Sequence, residues 1–177
     1  MWESIVNLVF SNVYGLAYES YTDQNLCYDG KVGDETISYK GSYAKYARTL
    51  EKHSLNITQY RTTKFINIED KVDFINESIK KTNYELACIR IDKNNEYKFK
   101  VILFEKKIFS VPKNKLFRKK HETKNRLSKQ RYFKCNLSKN ITLTISGSAS
   151  DQLIVHINNL DDFIKQSNAI ILYDSFN

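Results

Sequence analysis

Asp29 precedes Lys40 by eleven residues, and Ser38 stands two positions before the lysine. The surrounding stretch, Tyr28-Asp-Gly-Lys-Val-Gly-Asp-Glu-Thr-Ile-Ser-Tyr-Lys40-Gly-Ser42, reads as a short hairpin that turns near Gly33-Asp34. Strand residues two positions apart share a face, so Ser38 and Lys40 point the same way. The hairpin folds Asp29 back beside them. A carboxylate and a lysine held together suit metal-assisted cleavage of a phosphodiester. The carboxylate holds a divalent ion that acts as a Lewis acid. The lysine adds fixed positive charge where negative charge develops. The plainer reading takes Asp29-Gly30 as turn chemistry and Lys40 as an exposed strand residue.

The elements that must position these residues follow from periodicity. Ser4 can cap a first helix to about Ala17 or Glu19, with Ile5, Leu8, Val9, Val13, Leu16 and Ala17 near one face as a core-packing stripe. After the hairpin, Ser42 reads as the N-cap of a helix from about Tyr43 to His53. Asn56 to Phe65 alternates like a strand. Asp70 opens a helix carrying Val72, Ile75 and Ile79, closed by Lys80-Lys81. Leu86–Asp92 and Tyr97–Phe104 form the clearest strand pair, and Ile108–Val111 is a short extended piece before Pro112. Strands over Ile141–Ile145 and Leu153–Ile157 precede a helix from about Leu160, and Ala169–Tyr173 is an apolar edge strand or core-packing stretch. This order predicts an α/β (α+β) fold with a central mixed β-sheet flanked by helices.

The chain of 177 residues is 41% hydrophobic with a single Pro, which suits one folded domain rather than a disordered chain. From Lys106 to Lys134 it carries twelve Lys/Arg and only Glu122 as an acid, so this segment (+11) exceeds the whole chain (+8) and the rest is net acidic (−3). Such asymmetry points to a polyanion partner, the plain alternative being a solvated basic face. Cys27, Cys88 and Cys135 fit neither a zinc pattern nor a redox pair and read as buried free thiols, as in a reducing compartment. No secretory leader or membrane span is evident, so a cytoplasmic location is expected. His53, His121 and His156 are scattered, and Ser146-Gly-Ser-Ala-Ser lacks the lysine of a phosphate loop.

The hairpin, with the helices on either side, resembles the PD-(D/E)xK restriction-endonuclease-like superfamily. In that family an Asp on one strand and a Glu-x-Lys on the next hold a divalent metal and orient the attacking water. Asp29 matches the first position and Lys40 the lysine. Ser38 departs from the family's Glu, Asp or Gln. The chain is similar to Ser-x-Lys restriction enzymes, in which the missing carboxylate comes from the following helix. Glu51, eleven residues after Lys40, is the candidate for that role, and Glu19 is the second. The catalytic set implied is Asp29, Ser38, Lys40 and Glu51, with Asp29, Glu51 and Glu19 as candidate ligands of Mg2+.

The resemblance implies a metal-dependent endonuclease acting on double-stranded DNA, a small type II restriction enzyme working as a homodimer. A cognate DNA methyltransferase belongs to such a system. The layout divides one domain into a catalytic core over 1–104 and a basic, DNA-contacting part over 105–158. Lys119, Lys120, Lys124 and Lys129 suit phosphate contacts. Arg126, Gln130, Arg131, Asn136 and Gln152 have the forked or amide groups that read base edges. The alternative is a non-catalytic protein on a nuclease-like fold, either nucleic-acid-binding or of the immunity (antitoxin) type.

Overall fold

The computed structural model describes residues 2–21, 28–43, 53–56, 67–93, 96–120, 131–146 and 153–175. Helix α1 (Trp2–Tyr14) opens the chain, followed by strands β1 (Tyr18–Ser20), β2 (Gly30–Val32), β3 (Glu35–Tyr43) and β4 (His53–Asn56). Helix α2 (Ile68–Lys80) leads into β5 (Tyr84–Lys93) and β6 (Glu96–Glu105). Then come β7 (Leu116–Lys120), β8 (Arg131–Asn136), β9 (Ile141–Ser146), β10 (Leu153–Ile157), helix α3 (Leu160–Gln166) and β11 (Ile170–Asp174). The fold is α+β. A mixed six-stranded sheet runs in the order β1-β2-β3-β5-β6-β11, and a five-stranded sheet runs β4-β10-β9-β8-β7.

Local chemistry sets several boundaries. Gly33, with φ +58°, takes the first place of the two-residue loop between β2 and β3, a positive φ that primed hairpin turns require. The Asn67 side chain accepts the Asp70 N–H and caps α2, and Asn159 caps α3 through Asp162. Strand β3 pairs in parallel with β5, the only parallel pair in the six-stranded sheet among the described residues, with α2 on the connection between them.

One large core joins the layers. Val72, Ile75 and Ile79 of α2 meet Ala87, Ile89, Ile102 and Phe104 of the six-stranded sheet, and the inner face of the second sheet closes over them. Phe104 stands edge-on to Phe109 and Phe163 at centroid distances of 5.4 and 5.1 Å, a favoured aromatic geometry. A smaller core lies on the other face of the six-stranded sheet. There Val6 and Phe10 of α1 pack on Tyr18, Ile37, Tyr39 and Leu86.

Four expectations change. The first helix ends at Tyr14 and buries Val6 and Phe10. Ile5, Leu8, Val9, Val13, Leu16 and Ala17, expected in the core, are exposed because α1 rests on the sheet through Val6 and Phe10 instead. Ser42 is no cap: β3 continues through Tyr43, held by pairing with β5 as far as Arg90, and this ladder overrides the local cap signal. His53 opens β4, and 44–52 lie outside the described residues, as do 57–66 of the expected strand. Lys106–Phe109 forms a 3-10 turn instead of an extended piece, which turns Phe109 into the aromatic cluster. Cys88 and Cys135 are buried free thiols, and burial pushes the Cys88 thiol up to about 11; Cys27 lies outside the described residues. Among the described residues no helix is long and apolar enough to cross a membrane.

Candidate active site

Asp29 and Lys40 meet. Asp29 Oδ2 lies 3.8 Å from Lys40 Nζ, with the two side chains 21% and 10% exposed. The same Oδ2 accepts the Tyr39 N–H at 2.7 Å, so the carboxylate extends the hairpin's ladder just before β2 begins. Asp29 N–H in turn donates to the Ile37 carbonyl. Asp29 is therefore a structural pin as well as a charged group, which fixes where its second oxygen sits.

Gly30, next to it, lies within β2 rather than in a turn. A Cβ there would overlap the Tyr39 hydroxyl and sit 2.9 Å from Tyr18 Cε2. The Tyr18 and Tyr39 hydroxyls are 2.8 Å apart, and burial with this hydrogen bond pushes the Tyr39 phenol upward. The absent side chain at Gly30 lets the hairpin lie close to these rings.

Ser38 is buried in the same row as Lys40, and it supplies no carboxylate. The adjacent strand does. Glu85 of β5 is the register partner of Ser38, and Ala87 is the partner of Lys40. Residues paired across a sheet share a face, so Glu85, Ser38 and Lys40 project to one side. Asp29 joins them one position beyond the Gly30–Ile37 pair. Asn83 locks this register. Its side chain accepts the Thr36 N–H at 3.0 Å and the Thr36 hydroxyl at 2.7 Å, and its own N–H donates to Thr36 Oγ1.

Glu85 is fully buried, and both of its carboxylate oxygens lack a hydrogen-bond partner. Lys106 Nζ lies 3.3 Å from Oε2, at ion-pair distance without hydrogen-bond alignment. The Lys106 N–H, bonded to the Asn83 carbonyl, anchors the turn that brings this lysine in. Burial pushes the Glu85 carboxyl upward. Lys106 and then Lys40 oppose the shift, and Asp29 adds to it. These couplings tie Asp29, Lys40, Glu85 and Lys106 into one electrostatic cluster.

The other candidates fall elsewhere. Glu19 is exposed on β1 opposite Lys31, and its carboxylate accepts the Tyr21 hydroxyl, which pushes that phenol up to about 12. Glu51, Lys124, Arg126, Lys129, Gln130 and Gln152 lie outside the described residues. Lys119 and Lys120 belong to β7, at the edge of the second sheet, and Arg131 opens β8 as the register partner of Lys120. Asn136 is exposed on β8, and its side-chain oxygen accepts the Thr142 hydroxyl at 3.1 Å.

Sequence reading missed Glu85 and Lys106. Its expected strand began two residues late, at Leu86 rather than Tyr84. The signal was present, since Glu85, Ala87 and Ile89 form one alternating row, and an acid heading such a row faces the core. Among the described residues no group of three or more His, Cys, Asp or Glu side chains gathers. A magnesium ion needs less, being commonly bound through one or two carboxylates with waters and substrate phosphate. The two oxygens of Glu85, which accept no hydrogen bond, and the second oxygen of Asp29 fit such an ion in donor chemistry. Comparison with known proteins finds no matching family model, no matching curated sequence and no matching solved structure.

Proposed function

We propose that this chain is a metal-dependent endonuclease of the restriction-endonuclease-like kind, hydrolysing phosphodiester bonds of double-stranded DNA. One observation carries the reading. Glu85, register partner of Ser38, supplies from β5 the carboxylate that the hairpin itself lacks. Asp29 and Glu85 would hold a divalent ion, which when bound supplies Lewis acidity and a more acidic water. Asp29 is oriented by the Tyr39 N–H. Lys40, beside it, adds positive charge where the scissile phosphate gains negative charge and can hold the attacking water by hydrogen bonding. The basic segment from Lys106 to Lys134 supplies the attraction for the phosphate backbone, and a methyltransferase of matching specificity would protect host DNA.

Asp29→Asn, Lys40→Ala and Glu85→Gln are each expected to lower magnesium-dependent cleavage of double-stranded DNA by ~100-fold or more, the scale of losing one transition-state contact. Circular dichroism checks that each variant is folded. Ser38→Ala is expected to stay within about threefold of the parent, because removing a group that makes no transition-state contact leaves the barrier in place. A protein that cuts no DNA of varied sequence with magnesium or manganese sinks the enzyme reading. The contact of Lys106 with Glu85 favours a second reading, in which the pair neutralises itself and the fold binds DNA without cutting it. DNA retention without cleavage, and no thermal stabilisation by magnesium, is its signature.

A further inference from the structure

Two tyrosines beside the candidate site serve neither core. Tyr21 follows β1 and Tyr28 precedes β2. Both are half-buried, and neither belongs to the large or the small hydrophobic core. Their rings meet edge-on with centroids 5.3 Å apart. The Tyr21 hydroxyl donates to the carboxylate of Glu19, two residues back and on the same face. A surface side chain hops between rotamers unless something holds it. Here a hydrogen bond holds the tip of the Tyr21 ring and a second ring braces it.

Sheet register places this pair. Ser20 pairs with Gly30, and one step further the Tyr21 N–H donates to the Asp29 carbonyl at 2.9 Å, so Tyr21 stands opposite Asp29. Gly30 also pairs with Ile37, which sets Asp29 opposite Ser38, and Ser38 pairs with Glu85. Residues opposite one another in a ladder share a face. Tyr21, Asp29, Ser38 and Glu85 therefore form one row across the sheet, with Tyr21 one strand spacing, ~4.8 Å, from Asp29. The row runs from an aromatic pair at the β1 edge to a buried carboxylate.

The chemistry of the pair selects its ligand. The phenol of Tyr21 is engaged with Glu19, so the pair offers flat π surface. An edge-on contact uses a single ring face, and the faces it does not use suit a third flat ring. Glu19 stands opposite Lys31, so its charge lies between a phenol and a cation rather than bare before a phosphate chain. Every nucleobase has a π face, and stacking on an aromatic side chain holds a base without reading its sequence. A base inside a duplex has both faces covered by its neighbours, so only an unstacked base can lie on Tyr21.

We propose that Tyr21 and Tyr28 form a stacking platform for an unpaired nucleobase, held beside Asp29 while the phosphate attached to it lies along the Asp29–Glu85 row. The inference rests on the nuclease reading and narrows its substrate to a strand that is single or opened at the cut.

The probe is single-stranded DNA of mixed sequence, compared with a sugar–phosphate strand of equal length that lacks bases. Each is titrated with the full chain in the absence of metal and read by fluorescence anisotropy. The parent is expected to bind the base-bearing strand more tightly. Tyr21→Leu is expected to lose about 10-fold on that strand, the scale of one base–aromatic stack. It is expected to match the parent on the abasic strand, with unchanged circular dichroism. Tyr28→Leu, which removes the brace, is expected to weaken binding of the base-bearing strand alone. Tyr21→Phe keeps the ring and is expected to stay within about threefold of the parent. A parent that binds neither strand, or both equally, overturns the inference, as does a Tyr21→Leu variant as tight as the parent on the base-bearing strand. Equal losses for Tyr21→Phe and Tyr21→Leu assign the effect to the hydrogen bond with Glu19 and overturn it too. Cleavage with magnesium tests the nuclease reading separately: a parent that stacks bases and cuts nothing keeps the platform and loses the enzyme.

Discussion

The two faces of the six-stranded sheet break the ordinary rule of burial in opposite directions. On one face charges are inside: Glu85 is fully buried, with Lys106 and Lys40 nearly so. On the other, Ile5, Val9, Val13 and Ile170 are outside. Both arrangements cost free energy in an isolated chain. A buried ion pair is often no better than apolar residues of the same volume, and exposed apolar area forgoes roughly 25 cal/mol per Å². The charged face is rigid and specified residue by residue, through the Asn83 clamp and the Tyr39 contact to Asp29. The apolar face is specified by composition alone. The first pattern suits chemistry at defined atoms, and the second suits contact with another surface.

Lys106 offers the largest test of this contrast. Lys106→Met removes the charge 3.3 Å from Glu85 and leaves a buried carboxylate uncompensated. A loss of about 3–5 kcal/mol is expected, read by urea denaturation at neutral pH. The double variant Glu85→Leu with Lys106→Met removes both charges, and its stability is expected near or above that of the parent. If it folds as well and still cleaves DNA, the buried charges have no chemical role and the contrast collapses. If it folds and is inactive, the charges are retained for chemistry rather than for stability.

A smaller loss is expected at the hairpin. Gly30→Ala places a methyl group against the Tyr39 hydroxyl and 2.9 Å from Tyr18 Cε2. Tyr39 cannot swing aside cheaply, being buried and bonded to Tyr18. Overpacking of this kind costs about 1–3 kcal/mol, measurable as a lower urea midpoint at unchanged slope. A neutral result would show that the charged face yields as readily as the apolar one.

Much of this fold was legible because its signals were local. The β5–β6 pair, the α2 stripe, the Gly33-Asp34 turn and the meeting of Asp29 with Lys40 all follow from spacing within about a dozen residues. What was missed is non-local. Glu85 reaches the hairpin across a parallel pairing separated by more than forty residues, and no periodicity near Ser38 points to it. Ser42 carried a sound cap signal that the β3–β5 ladder overrode. The stripe on α1 was read correctly as apolar, but hydrophobic spacing does not say which apolar row meets the core and which meets a partner.

The smallest effect belongs to the apolar face, and it separates the faces most cleanly. Val9 is half exposed and supports nothing beneath it that Val6 and Phe10 do not already hold. Val9→Gln is therefore expected to leave the stability of dilute monomer within about 0.5 kcal/mol of the parent, as for surface changes generally. The resemblance to restriction enzymes implies a homodimer, and exposed apolar side chains are where a second copy packs, so association adds a second observable. A chain that dimerises only when folded unfolds at a higher temperature as its concentration rises. The parent is expected to show that dependence and Val9→Gln to lose most of it. A variant equally stable when dilute and no longer stabilised by concentration locates the use of this side chain outside its own monomer. A variant destabilised to the same extent at every concentration would return Val9 to the core of its own chain.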